Sequence, residues 1–513
     1  MKTLVLLTCL LASSVLADVK LAAVFGNHMV LQQEQPIRLF GSASPGEEIK
    51  AEMAGKTATA TAGPDGSFRL ELPAMKADGK AHTLTVSGKN TVTLNDVLLG
   101  EVWVCSGQSN MEWSVRASLL AQEVIAGADH PKIRLFDVPG HVQGPIPTPG
   151  RGKWGICTPQ SIPNFTAVGY HFGRALHEKL GVPIGLVGTN WGGTRIEPWT
   201  PPVGFDQVES LKDYRENLQA LDPATPSGKE GQLKYLGSVE NWVSKAKEAA
   251  VAGQHFSGEP PRFSLKPKGG ATHIYNGMVD ALTPLSVRGA IWYQGESNAG
   301  DGLRYEYLKE ALVKGWRSVF ENDDLSFYWV QLANFQGANS NPAGGGWGPV
   351  REGQRRALRV PKTGMAVIID IGDARDIHPR NKHDVGKRLA LCALAKDYGQ
   401  ELVYSGPLYK SMSIEGDKIR LHFNHIGGGL MTGKKDGMAP TAEVPEAELA
   451  EFAIQSGDGA WHWAKAKIDG ETVLVSADGV SDPKHVRFGY QSNPAGINLY
   501  NKEGLPASPF TTD

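Results

Sequence analysis

From about residue 97 the chain repeats one pattern: a short, nearly all-apolar run followed, in several cases, by a stretch of helical periodicity. The apolar runs fall at 97–105, 133–138, 184–187, 289–293, 327–332 and 365–371, and the helical stretches near 168–180, 305–320 and 385–398. A strand that is apolar on both sides needs cover on both faces, and intervening helices supply it while letting the strands run parallel. The pattern predicts an α/β fold with a mainly parallel sheet covered on both faces. Residues 201–272 interrupt it with polar helical patches (208–218, 236–252) and a Pro/Gly-rich end (258–270), and read as an insertion near the rim.

The flanks have a different period. Residues 18–96 alternate apolar and polar positions, as at Phe68, Leu70 and Leu72 after the Pro64-Asp65-Gly66 turn, and predict an N-terminal β-sandwich. Strand-like runs return after residue 402, at 418–423, 450–454, 460–466 and 472–475, so 402–513 reads as a β-rich C-terminal region. That leaves 97–401 as the α/β domain. Residues 1–17 open with Lys2, continue through an apolar run and end in Val15-Leu16-Ala17, the form of a secretory signal peptide cut after Ala17. The expectation is export to a periplasm or the outside. No other segment has the roughly 20 uninterrupted apolar residues of a membrane span.

Composition narrows the partners. Lys+Arg 52 against Asp+Glu 54 gives a net charge of -2, so no global field draws the chain to nucleic acid or anionic lipid. Beyond the leader only Cys105, Cys157 and Cys392 remain, with no C-x-x-C spacing. This excludes a disulfide scaffold and gives zinc or thiol redox chemistry no support. Cys105 ends an apolar run and reads as a small buried hydrophobe.

In open α/β sheets ligands bind at the carboxyl ends of the strands. Four such positions carry polar or glycine-rich loops: Gly107-Gln108-Ser109-Asn110-Met111, Gly188 to Arg195, Gln294 to Asn298, and Asp373 to Pro379. Singly, each is explained as well by a turn or a helix N-cap. Together they offer a serine hydroxyl, backbone N–H donors, a side-chain amide and an Asp/His pair. Those are the parts of acyl transfer by a hydroxyl nucleophile, with Ser, Asp and His in that chain order. The serine loop is not G-x-S-x-G, since Met111 stands at the last glycine position, so the α/β-hydrolase elbow is not matched.

The stretches GEVWVCSGQSNMEW (100–113), GLVGTNWGGTRIEPW (185–199), WYQGESN (292–298) and IDIGDARDIHPRNK (369–382) resemble the sialate O-acetylesterase-like family of the SGNH hydrolase superfamily. GNHMVLQQ (26–33) and NLYNKEGLPASPF (498–510) resemble that family's N-terminal β domain and its end. The resemblance implies a three-layer α/β/α, SGNH hydrolase-like catalytic domain and a serine esterase that removes O-acetyl groups from sugars. It implies Ser109 as nucleophile, His378 as base and Asp376 as its orienter. Relatives with Asp three residues before His would have it where Arg375 stands here, and Asp373 is the alternative acid. The implied oxyanion donors are the Ser109 N–H, the Gly193 N–H (or that of Gly192) and the Gln294 side chain. No metal or cofactor is implied.

For the sugar, Arg195, Trp191 and Glu296 are the candidate binding residues, with Glu296 behind the reacting groups. Trp113, Trp199 and Trp347 also lie near strand ends, and any of the four indoles can stack on a pyranose or pack in the core. Arg195 can meet a substrate carboxylate or pair with Glu197 or Glu296. The competing substrates are acetylated plant or algal polysaccharides such as xylan. The competing classes are a non-catalytic carbohydrate-binding protein and a metal-dependent deacetylase, for which the chain lacks a convincing ligand set.

Overall fold

The computed structural model describes residues 18–262 and 266–513; the leader-like residues 1–17 lie outside the described residues. Seven strands form the central row: β1 (Thr91–Gly107), β2 (His130–Asp137), β3 (Trp154–Cys157), β4 (Ile184–Asn190), β5 (Gly289–Tyr293), β6 (Ser326–Gln331) and β7 (Thr363–Val367). Their order is β3-β2-β4-β1-β5-β6-β7. All neighbours run parallel except the edge strand β3, which is antiparallel to β2. The apolar runs of the sequence thus form a mixed sheet that is parallel but for one edge.

The predicted helices are α1 (Ala167–Leu180), α2 (Tyr305–Val319) and α3 (Lys382–Lys396). α1 and α3 cross closely: a Cβ on Gly386 would stand 2.7 Å from both the His171 Cβ and the Phe172 backbone N. Trp103 of β1 packs edge-on against Phe172 of α1, and Trp292 of β5 edge-on against Trp316 of α2, at centroid distances of 5.0 and 6.2 Å. The 201–272 stretch is helical over Pro226–Val251, with Thr225 capping the N-terminus through the Gly228 N–H.

β1 reaches beyond the central row. Its first half pairs antiparallel with His82–Ser87 of the N-terminal β region, and its second half lies between β4 and β5. Ile49, Leu70, Leu84 and Val86 belong to the same apolar core as Trp103 and Ile291. The C-terminal strands form further small sheets around a second cluster that includes Ile419, Leu421, Val473, Val475, Phe488 and Phe510. Arg351, fully buried, joins the two parts by donating to the Leu332 carbonyl at 2.8 Å and the Ser492 carbonyl at 2.8 Å. Cys105, Cys157 and Cys392 are buried and unbridged. Among the described residues no helix is long and apolar enough to cross a membrane.

The turn out of β1 sets the site. Gly107 has φ +141°, and a Cβ there would sit 2.1 Å from the Tyr293 carbonyl oxygen. Only glycine fits that conformation and that approach. Gly107→Ala is expected to lower the unfolding free energy by at least about 2 kcal/mol. Gly237→Ala, in an exposed helix interior with nothing within 4 Å, should raise it by about 0.5–1 kcal/mol. Urea unfolding of the two variants beside the parent checks both signs.

Candidate active site

Gly107 is in register with Asn190 of β4 on one side and Tyr293 of β5 on the other. Three loops therefore leave the sheet at one level. The Gln108 N–H donates to the Tyr293 carbonyl at 2.9 Å, and the Trp191 N–H to the Gly107 carbonyl at 3.1 Å. Ser109 opens a short helix, Ser109–Glu112. Gly192 lies against it, since a Cβ there would be 3.2 Å from the Ser109 Cβ.

The fourth loop brings the imidazole. His378 Nε2 is 2.9 Å from Ser109 Oγ, across 269 residues of sequence. Asp376 Oδ1 accepts the His378 backbone N–H at 2.9 Å and stands 3.5 Å from Nδ1. Asp373, the alternative acid, instead caps the Arg375 N–H at 2.8 Å. The Trp113 ring stacks on the imidazole at 4.7 Å and 17°. Burial lowers the His378 pKa from its ordinary value, the Lys382 charge adds to this, and Asp376 opposes it.

The donors divide. Neither the Ser109 N–H nor the Gly193 N–H has a hydrogen-bond acceptor among the described residues, whereas the Gly192 N–H is taken by Glu112 Oε2 at 2.7 Å. The expectation for Gln294 needs correction. Its side chain is fully buried, and both amide hydrogens are used, toward Asn298 Oδ1 at 2.6 Å and the Thr194 carbonyl at 3.2 Å. Its Oε1 accepts from the Tyr305 hydroxyl at 2.7 Å. No donor is left for an oxyanion. Gln108, passed over in the sequence, has an amide nitrogen with no acceptor among the described residues: Oε1 faces the N–H groups of Ser297 (3.3 Å) and Gly295 (3.5 Å), which turns Nε2 away from them. Its adjacency to Ser109 is the signal that could have found it.

The predicted sugar contacts are also partly spent. Arg195 donates to Glu197 Oε1 at 2.7 Å, to Asp301 Oδ2 at 2.6 Å and to the Ser297 carbonyl at 3.1 Å. Two carboxylates already balance its charge, so it is not a free receptor for a substrate carboxylate. The pairing is with Glu197 and Asp301, not with Glu296. Glu296 turns inward and accepts from Asn110 Nδ2 at 2.6 Å, and burial raises its pKa. Trp191 is stacked with His141 at 4.8 Å and 9°, and His141 is held by Glu112 Oε1 at 2.9 Å. Trp199 and Trp347 are core residues, leaving Trp113 and Trp191 as the two partly exposed indoles. Among the described residues no group of three or more His, Cys, Asp or Glu could hold a metal.

A family model for carbohydrate esterases, the sialic acid-specific acetylesterases, covers residues 249–394. The rat sialate O-acetylesterase is 31% identical over 444 residues, 77% of this chain and 77% of that protein. The chain belongs to the sialate O-acetylesterase family. It is thereby a carboxylic ester hydrolase. The human sialate O-acetylesterase is 28% identical over 451 residues, 79% of this chain and 76% of that one. Among solved structures, a carbohydrate acetylesterase from Xanthomonas citri superimposes with a TM-score of 0.78 at 35% identity, covering 96% of this chain and 99% of that one. The β-rich flanks are therefore shared with that carbohydrate acetylesterase and not peculiar to this chain.

The start of the loop carrying His378 is tied to the helix that follows it by one buried ion pair. Asp370, just before the loop, takes both arms of Arg388 from α3 at 2.6 and 2.8 Å, and both side chains are buried. Arg388→Met leaves Asp370 buried without its cation and is expected to cost about 3–5 kcal/mol. Replacing both by apolar residues should recover most of that loss. Denaturant unfolding of the single and double variants tests this.

Proposed function

We propose that the protein hydrolyses O-acetyl esters of sugars through an acyl-enzyme on Ser109, carried on a three-layer α/β/α SGNH-like scaffold. The observation that carries this reading is the 2.9 Å contact between His378 Nε2 and Ser109 Oγ. With Nε2 as acceptor, the imidazole proton sits on Nδ1 and faces Asp376. Nε2 takes the hydroxyl proton as Oγ bonds to the acetyl carbon. The carbonyl oxygen becomes an oxyanion, received by the N–H groups of Ser109 and Gly193 and by Gln108 Nε2, in place of the Gln294 first expected. The bond from the carbonyl carbon to the sugar oxygen then breaks, and His378 returns the proton to that oxygen. Water, deprotonated by His378, attacks the acetyl-serine and releases acetate.

The names of the relatives point to sialate esters. The pairing of Arg195 with Glu197 and Asp301 favours a second substrate class, neutral acetylated sugars, including plant or algal polysaccharide. Acetate release from an acidic and a neutral acetylated sugar compares the two. The leader-like residues 1–17 support export, with Asp18 as the mature N-terminus.

Ser109→Ala is expected to reduce kcat by about 10³–10⁶ without changing the unfolding midpoint. Wild-type acetate release by that variant would reject the assignment. The pH dependence has a definite sign. Activity needs the neutral imidazole, and the pKa of His378 lies below its ordinary value. The acidic limb of kcat/KM should therefore fall below about pH 6.5. A limb above that value would contradict the described surroundings of His378.

A further inference from the structure

Directly beneath the Ser109–His378 pair is a buried polar chain that the reaction itself does not use. Its centre is Asn110, the residue after Ser109. Asn110 Nδ2 donates to Glu296 Oε1 at 2.6 Å and to the carbonyl of Ile377, the residue before His378, at 3.0 Å. Asn110 Oδ1 accepts from Lys382 Nζ in the first turn of α3. The orientation of the amide is fixed by its neighbours. Lysine can only donate, and a carbonyl or an ionised carboxylate can only accept. Asn110 and Lys382 are almost completely buried, and Glu296 Oε2 is buried with no partner. Lys382 Nζ also lies 5.8 Å from the centre of the Trp113 ring and 5.1 Å from that of Tyr293.

We propose that Asn110, Lys382 and Glu296 are positioning residues that lock the serine loop to the histidine loop and set the charge beneath the imidazole. This rests on the Ser109–His378 reading and adds to it the parts that hold the pair at reacting distance. One amide ties the neighbour of the nucleophile to the neighbour of the base, so a shift of either loop stretches the same hydrogen bonds. Reacting groups displaced by about 1 Å can lose on the order of 10²-fold in rate.

The charge effect can be read separately from the positional one. Four side chains face His378: Asp376 from its own loop, Lys382 from α3, and Ser109 and Trp113 from the serine loop. Lys382 is in turn faced by Glu296 from the loop after β5, by Asp376 and by the two rings. The cation on Lys382 disfavours imidazolium, and the Glu296 carboxylate offsets that cation. Removing Lys382 should let His378 protonate more readily, and removing the Glu296 charge should do the reverse. A network that only stabilised the fold would move neither limb.

The test is steady-state hydrolysis of an acetylated sugar by Asn110→Leu, Lys382→Met and Glu296→Gln over a pH series, with unfolding midpoints to confirm folding. Asn110→Leu is expected to lower kcat about 10–10²-fold with KM within about twofold. Lys382→Met should move the acidic limb of kcat/KM to higher pH. Glu296→Gln keeps an acceptor for Asn110, and should move the limb to lower pH. Should Asn110→Leu or Lys382→Met fail to fold, Glu296→Gln decides: a limb that stays or moves upward overturns the proposal. Ser109→Ala, assayed alongside, separates the two claims. Wild-type turnover by it overturns the nucleophile reading and this proposal with it. An inactive Ser109→Ala together with parental kcat and coincident pH profiles in the network variants overturns this proposal alone.

Discussion

The site depends on the passage of β1 between β4 and β5 with Gly107 level with Asn190 and Tyr293. Parallel pairing fixes where each strand ends relative to its neighbours, so three loops reach solvent at one height. The missing side chain at Gly107 lets the backbone turn against the Tyr293 carbonyl and deliver Ser109 beside Gly192. Every later feature uses this placement. The N–H groups of Ser109 and Gly193 come from two adjacent loops, and Gln108 bridges to the third through the N–H groups of Gly295 and Ser297. His378 arrives from β7, at the far end of the parallel row, and must be brought in by contacts of its own.

Those contacts differ in kind from the sheet register. The ion pair of Asp370 and Arg388 holds the start of the loop to α3, and Asn110 holds its far end through the Ile377 carbonyl. Trp113 covers the imidazole face. Burial and the nearby lysine both favour the neutral ring, through exclusion of water and through like charge. Asp376 acts in the opposite sense and faces the Nδ1 side. A base that must accept a proton near neutrality and give it up again works best between such opposed influences.

Much of this was legible before any coordinates. The run at 289–293 is β5 to the residue, and the helical stretches at 168–180, 305–320 and 385–398 lie within or close to α1, α2 and α3. At several places where the reading departs from the structure, a polar residue is satisfied at long range. The boundary read between residues 96 and 97 falls inside β1. The structure runs one strand through it, and Asp96 is held by Arg134 at 2.7 Å and by His28 at 2.7 Å. The run at 365–371 ends early, at Val367, and its Asp370 is drawn to Arg388. Helix Pro226–Val251 begins some ten residues before the expected 236, although Thr225-Pro226 is a recognisable cap and first turn. Gln294 and Glu296 look outward in sequence because their partners, Thr194, Tyr305 and Asn110, are set by the fold. The edge strand β3 follows a Pro/Gly-rich stretch and carries too short a period to be read.

Four buried cations show how the protein handles charge around the carboxyl edge of the sheet. Arg388 has a carboxylate, Arg351 has backbone carbonyls, Lys382 has an amide, and Lys309, with no hydrogen-bond partner among the described residues, has the faces of Trp292, Tyr305 and Trp329 at 4.8, 5.2 and 5.6 Å. Burial, outweighing the opposing pull of nearby acidic groups, pushes Lys309 well below its ordinary pKa, Lys382 to about 7 and Arg351 to about 9. Each costs desolvation that an apolar residue would not. What an apolar residue could not do is point. Arg351 converges on the carbonyls of Leu332 and Ser492, one from the end of β6 and one from the C-terminal region. Lys382 can be satisfied at Asn110 only when the histidine loop and the serine loop are both in place. Directional bonds from buried donors thus select one arrangement of loops that hydrophobic packing, indifferent to orientation, would leave free to slide.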